Sequence, residues 1–249
     1  MQLFSAVSLI VLTGLTSAEK AADCDAKLRS MDRAVDSMLM LINQEAVGYK
    51  TVADFNDKYC RPFDGWMKRV RQYTGCIGAV EKTLFSFVMG NIRKSYKQYC
   101  TSDKKRETAF HHLQCLNPQS KPGMIKIGNR LSGLMNHVAD NVPVDDIIPA
   151  ICCGSNYLFT VLATEFEDLC SKHGRSGSGM WLMSVVKAFF VDALELLCGQ
   201  YPSSAECAAS KSSESINTTI AAIDEAAASN HTPITSLVRI LERLGSTLP

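Results

Sequence analysis

The chain lacks an imbalance of charge: 26 Lys and Arg stand against 25 Asp and Glu in 249 residues, a formal charge of +1. A protein that holds nucleic acid through its overall charge is therefore excluded. Signatures of several enzyme classes are missing too. No G-x-S-x-G, H-E-x-x-H, P-loop or EF-hand loop occurs, so no nucleophile elbow, two-histidine zinc helix, phosphate cradle or calcium loop is encoded by motif. No run of alternating Val, Ile, Thr or Tyr lies between hairpin turns, which leaves half-buried strands without a pattern. No C-x-x-C pair is present, and the nearest zinc-like cluster, His111, His112 and Cys115, matches no closed four-ligand spacing. The reading is of a chain with neither cofactor nor metal. Hydrophobic residues nonetheless make up 46% of it against 20% charged, enough to bury a core.

What the chain does hold is cysteine and methionine, ten of each. Residues 1–18 run MQLFSAVSLIVLTGLTSA, an apolar stretch ending in small residues, and predict a signal peptide cleaved after Ala18. The apolar stretch Met180 to Cys198 carries Lys187, Asp192 and Glu195. Each would cost about 2.5–3.5 kcal/mol near a bilayer centre, so it is read as a buried central helix and the protein as not membrane-spanning. The last residues, LGSTLP, form neither a retention signal nor a lipid-anchor tail. A secreted, extracellular protein is the expectation. In that compartment Cys24, Cys60, Cys76, Cys100, Cys115, Cys152, Cys153, Cys170, Cys198 and Cys207 are read as five disulfides rather than as metal ligands. Asn217 and Asn230 sit in N-x-T sequons and are candidate glycosylation sites; Pro233 behind the second favours Asn217.

Cysteine spacing repeats. Cys60, Cys76, Cys100 and Cys115 precede Cys153, Cys170, Cys198 and Cys207 by 93, 94, 98 and 92 positions, which predicts a duplicated four-cysteine helical unit with Cys24 and Cys152 as an extra pair. Between the cysteines the helical period dominates. Leu28, Met31, Val35, Met38 and Ile42 step by three and four up to Gly48; Ile77, Val80, Leu84, Val88 and Ile92 do likewise, as do Met124, Ile127, Leu131, Leu134 and Val138. A last helix opens with Thr232 as cap and Pro233, then carries Ile234, Leu237, Leu241 and Leu244 to Gly245. Pro62 and Pro149 are read as helix breaks, and 117–123, 141–143 and 174–179 as loops.

The predicted fold is all-α, a disulfide-linked helical bundle. Its parts are a signal peptide (1–18), a cysteine-rich helical domain (19–207, with repeats over 50–116 and 144–207), an Ala/Ser-rich linker or loosely packed helix (208–230) and a C-terminal amphipathic helix (231–249).

Charge is segregated although its total is near zero. Residues 68–130 hold 13 Lys and Arg against 3 Asp and Glu, whereas 131–249 hold 6 against 13. Either the two parts face each other across the fold or are simply solvated faces, or Lys68, Arg69, Arg71, Arg93, Lys94, Lys97, Lys104, Lys105 and Arg106 form a patch for an anionic glycan or protein. Candidate catalytic groups are thin. His111 and His112 read as surface or half-buried side chains, and Glu165, Glu167 and Asp168 as a solvated carboxylate cluster. Apolar content is the stronger lead: helices such as 180–198 and the stretch from Tyr157 to Phe166 have narrow polar stripes. Met31, Met38, Met40, Met180 and Met183 could line a pocket for an apolar ligand.

With its leader, its cysteine order, Phe55 four residues before Cys60-Arg61-Pro62, Cys76, the Tyr99-Cys100 helix end and the apolar Cys170 to Cys198 region, the chain resembles arthropod and nematode secreted all-α cysteine-rich proteins of the insect haemolymph-glycoprotein type. The resemblance rests on spacing over roughly Cys60 to Cys207, and adjacent Cys152-Cys153 departs from it. It implies secretion and a helical fold and transfers no catalytic residue. The expected function is non-enzymatic: binding or carrying an apolar small molecule or a macromolecule. A salivary or venom-type effector acting through the basic patch and a secreted hydrolase are the alternatives.

Overall fold

The computed structural model describes residues 22–38, 48–201, 203–226 and 233–246, and the backbone alone of Val80, Leu84, Pro233 and Ile234. The expected signal peptide, Met40, Ile42, Asn230 and the Thr232 cap lie outside the described residues. All regular structure within them is helical, as the absence of strand patterns predicted.

Helix α1 (22–38) buries Met31, Val35 and Met38, three members of the expected stripe. Gly48 has φ +80°, and a Cβ there would run into the Leu116 carbonyl oxygen, so the position admits only glycine on two counts. Helix α2 (Val52–Phe55) starts under Thr51, whose hydroxyl accepts from the Asp54 amide at 3.0 Å, and runs into a π-helical turn, Asn56–Cys60. Pro62 separates that turn from α3 (Phe63–Tyr73), the break its ring dictates. Phe63 then stacks on Tyr96 at 3.9 Å, locking α3 to α4 (Ala79–Cys100), and Ser102 caps α5 (Asp103–Leu113).

The second half is built on α6 (Lys121–Asp140), α7 (Ile147–Lys172) and α8 (Ser178–Leu197). Pro149 does not break α7. It falls in the first turn, where a missing N–H removes no helical hydrogen bond. Nor is α8 the buried central helix: Met180 and Leu196 are 56% and 60% exposed, and α7 takes the central place with Leu158, Leu162 and Phe166 fully covered. The Val144–Lys172 stretch is long and apolar enough to cross a membrane by length and composition, and 56% of its apolar window is buried in the fold. Loop 117–123 is shorter than its turn residues implied, since α6 accepts Pro122 in its opening turn.

Two elements correct the linker reading of 208–230. Helix α9 (Ser204–Ala208) precedes α10 (Ser213–Asp224), which buries Ser215, Ile216, Thr219 and Ile223 against α6 and α7. Small residues permit this close seat. A Cβ on Gly133 of α6 would meet the Ala222 carbonyl and Ala226, and one on Gly154 of α7 would meet Thr219 at 3.0 Å. Asp146 accepts from the Ser212 and Ser215 hydroxyls at 2.5 and 2.6 Å at one end of α10, and Arg130 and Tyr157 hold Asp224 at 2.6 and 2.7 Å at the other. Helix α11 (Pro233–Gly245) closes the bundle, burying Val238, Ile240 and Leu241.

All ten cysteines are bonded: Cys24–Cys76, Cys60–Cys100, Cys115–Cys170, Cys152–Cys198 and Cys153–Cys207. Cys24 therefore pairs with Cys76 and not with Cys152, and Cys115 bonds outside its expected unit. The regularity sits one cysteine earlier. Cys24, Cys60, Cys76 and Cys100 precede Cys115, Cys152, Cys170 and Cys198 by 91, 92, 94 and 98 positions. Each set joins first to third and second to fourth, while Cys153–Cys207 ties α9 to α7. Five such bonds suggest a protein of an oxidising, extracellular compartment.

Candidate functional site: an apolar cavity

Helices α4, α6, α7, α8 and α11 do not meet completely, and a partly open apolar cavity of about 70 Å³ remains between them. Its walls follow from the helical period. On α6, Leu131, Leu134 and Met135 face it; on α7, Ile151, Leu158 and Phe159, with Ser155 as the single polar member. Helix α8 contributes Phe190, Ala193, Leu194 and Leu197, and α4 contributes Val88. The fourth side is α11, through Leu237, Ile240, Leu241 and Leu244. Of the expected methionines that are described none lines it: Met31, Met38 and Met183 are buried in the core, Met180 is exposed, and Met135 is the methionine that does.

Polar contacts hold α11 in place over the cavity. Arg243 reaches back to the C-terminal end of α6 and donates to the carbonyls of Val138 and Ala139 at 2.9 Å each and of Val142 at 2.5 Å. The first two are carbonyls that a helix end leaves unpaired, and a cation there also meets the negative end of the helix dipole. Thr235 donates to Asp32 at 2.5 Å, Ser236 bonds Asn136, and Arg239 pairs with Asp140. At the far end of α11 two carboxylates meet: Glu81 lies against Gly245, and burial followed by the Glu81 charge raises the Glu242 pKa. On the α7–α8 side stands a cation instead, Lys187, with Nζ 5.7 Å above the ring of Phe159.

The carboxylates considered for acid–base work have structural duties. Glu165 pairs with Lys126 at 2.7 Å and Arg130 at 3.1 Å. Glu167 accepts from the Gly177 amide at 2.7 Å and the Met180 amide at 3.2 Å, so it caps α8 from a neighbouring helix, and those bonds hold its pKa down. Asp168 is exposed. His112 stacks on Trp181 at 4.9 Å with Nδ1 3.2 Å from the Ser178 hydroxyl, and burial, aided by His111, lowers its pKa. His111 is exposed, and Cys115 is in a disulfide.

The charge segregation resolves into contacts across the fold: Lys94–Asp192, Lys126–Glu165, Arg130–Glu165 and Arg130–Asp224 each join the basic stretch to the acidic one. Of the nine candidate patch residues, three have local roles. Lys94 is in that set, Arg106 donates to the Cys100 carbonyl and to Asp103 at 2.5 Å each, and Lys105 lies 3.1 Å from the Thr101 hydroxyl. Lys68, Arg69, Arg71, Arg93, Lys97 and Lys104 stay exposed without a carboxylate partner among the described residues. Asn217 is exposed on α10, while its neighbour Thr219 is buried. Sequence reasoning found the apolar stripes but missed two charged residues beside the cavity, Arg243, which ties α11 to α6, and Lys187, which stands over the wall residue Phe159. Each reads locally as an ordinary charge on an amphipathic helix.

No family model matches the chain, and neither a curated protein nor a solved structure matches it.

Proposed function

We propose that the protein is a secreted, non-enzymatic carrier that holds an apolar small molecule between α4, α6, α7, α8 and α11. The observation that carries this reading is the wall of the cavity: sixteen residues from five helices, of which only Ser155 is polar. One hydroxyl is too few partners to hold a water molecule, so the space is dry when empty and gains free energy when apolar surface fills it. Its volume is about half that of an engineered cavity that holds a benzene ring. A longer ligand therefore requires α11 to swing out. Secretion, cleavage after Ala18 and a glycan on Asn217 belong to the same proposal, supported by the five disulfides and by the exposure of Asn217.

Native mass spectrometry of protein secreted from eukaryotic cells, set against the denatured chain, tests it. The expected result is a non-covalent mass lost on denaturation, or uptake of the neutral probe N-phenylnaphthylamine, both abolished by Ala193→Trp, which fills the space. A protein that carries only glycan and takes up no probe would refute the carrier.

The six unpaired cations on α3, α4 and α5 favour a second reading, docking to a sulphated glycan. Retention on heparin that falls with salt and disappears in Lys68→Glu/Arg69→Glu/Arg93→Glu would support it, and unaltered retention would remove it.

A further inference from the structure

The cavity is apolar in its walls but its surroundings are electrically uneven. At the outer end of α11, Glu81 lies against Gly245 and near Glu242, next to the wall residues Leu241 and Leu244. Across the bundle, Lys187 stands over Phe159, itself a wall residue, and lies one turn before Phe190, another. Lys187 is exposed, and no carboxylate pairs with it among the described residues. On α8 the nearest acids are Asp192, engaged by Lys94 at 3.0 Å, and Glu195, two turns away and exposed. From α7 the ring of Phe159 lies 5.7 Å from the Lys187 Nζ. Ser155, one turn before Phe159 on the same face of α7, adds a hydroxyl with no hydrogen-bond partner among the described residues.

From this geometry we infer that the ligand is a single-chain amphiphile with a carboxylate head: the chain enters the cavity as α11 moves outward to enlarge it, and the head pairs with the Lys187 ammonium. The assignment rests on the carrier reading and adds ligand class and orientation to it. A cationic head at Lys187 would meet like charge, and an anionic head turned the other way would meet Glu81 and Glu242. A neutral chain would fill the walls equally well but leave the ammonium unused. A single chain is the smallest occupant of this class, and a space of about 70 Å³ leaves no room for a second.

Displacement of N-phenylnaphthylamine from the intact, disulfide-bonded protein by laurate, dodecanol and dodecyltrimethylammonium tests the assignment. These probes share one chain and differ in the head. Laurate should compete at a concentration roughly ten-fold or more below dodecanol, with the cationic probe weakest; a ten-fold ratio corresponds to about 1.4 kcal/mol. Lys187→Gln should bring laurate to the level of dodecanol while leaving dodecanol and the reporter unchanged, and Lys187→Arg should keep the preference. Equal competition by laurate and dodecanol, or a laurate affinity that Lys187→Gln does not alter, overturns the carboxylate assignment and leaves the carrier intact. Absence of reporter binding in the wild-type protein overturns the carrier and the assignment with it.

Discussion

Removing the Arg243 guanidinium is the sharpest test of how α11 is held. In Arg243→Ala the carbonyls of Val138, Ala139 and Val142 lose donors at 2.9, 2.9 and 2.5 Å. Hydrogen bonds to a charged group contribute about 1.5–3 kcal/mol each, but three sharing one guanidinium are not additive, and water replaces part of the loss at a half-buried site. A net cost of about 2–3 kcal/mol follows. Because the apolar face of α11 remains, that cost should appear first as local opening, not as global unfolding. Amide exchange across 235–245 should speed up by roughly 30- to 150-fold, on the scale of 1.4 kcal/mol per factor of ten. Arg243→Lys, a point charge without the planar fork, should recover part of it. Arg239→Ala is the control: its pair with Asp140 is about 40% exposed on both sides, so it should cost no more than about 1 kcal/mol. If α11 exchanges at the wild-type rate in Arg243→Ala, or if Arg239→Ala does as much damage, the helix is held by its apolar face alone and the capping argument is wrong.

Two further outcomes are expected. Burial, reinforced by the Asp32 charge, pushes the Asp36 carboxyl up to about 6; the folded form then binds its proton more tightly than the unfolded chain, so the stability it contributes is present below about pH 4 and is lost as pH rises to 6. Asp36→Asn should flatten denaturation midpoints between pH 4 and pH 7 and stabilise the protein at pH 7 by roughly 1–2 kcal/mol after allowance for solvent screening; a wild-type midpoint that already does not fall over this range would contradict it. Gly133→Ala should cost about 1–3 kcal/mol in urea, because its methyl group strikes backbone of α10, whereas Gly90→Ala, with nothing within 4 Å, should stabilise by about 0.5–1 kcal/mol. Equal effects at the two sites would mean that α10 is not seated on Gly133.

Helical class, the break at Pro62 and stripes such as Met31–Val35–Met38 and Ile127–Leu131–Leu134–Val138 were legible because they depend on local chemistry: a repeat of three and four residues, and a ring that removes an N–H. Pro149 shows the limit of that logic, since the same residue is harmless in a first turn, and where a helix starts depends on what precedes it in space. Helix α10 was obscured by composition. Ala and Ser serve a solvated linker or a helix pressed against glycines, and only the positions of Gly133 and Gly154 on other helices decide between them. Disulfide partners were illegible for a related reason. The spacing repeats under two groupings of the cysteines, and only the fold selects the one that starts at Cys24. The cavity could not be read at all, because periodicity says which side chains face inward but not whether the volumes they bring fill the space between five helices.

The order of the bonded cysteines also has a consequence for synthesis. No bond joins two cysteines that are neighbours along the chain, so any bond formed between a newly emerged cysteine and the one before it is non-native and has to be exchanged. Yet every partner of a cysteine up to Cys100 lies at or before Cys100, and every partner of a later one lies at or after Cys115. The first hundred residues can therefore complete their covalent closure before Cys115 has been translated. A single proteolytic cut between Cys100 and Cys115 would leave two separately cross-linked pieces, joined only by the side-chain contacts between the two halves.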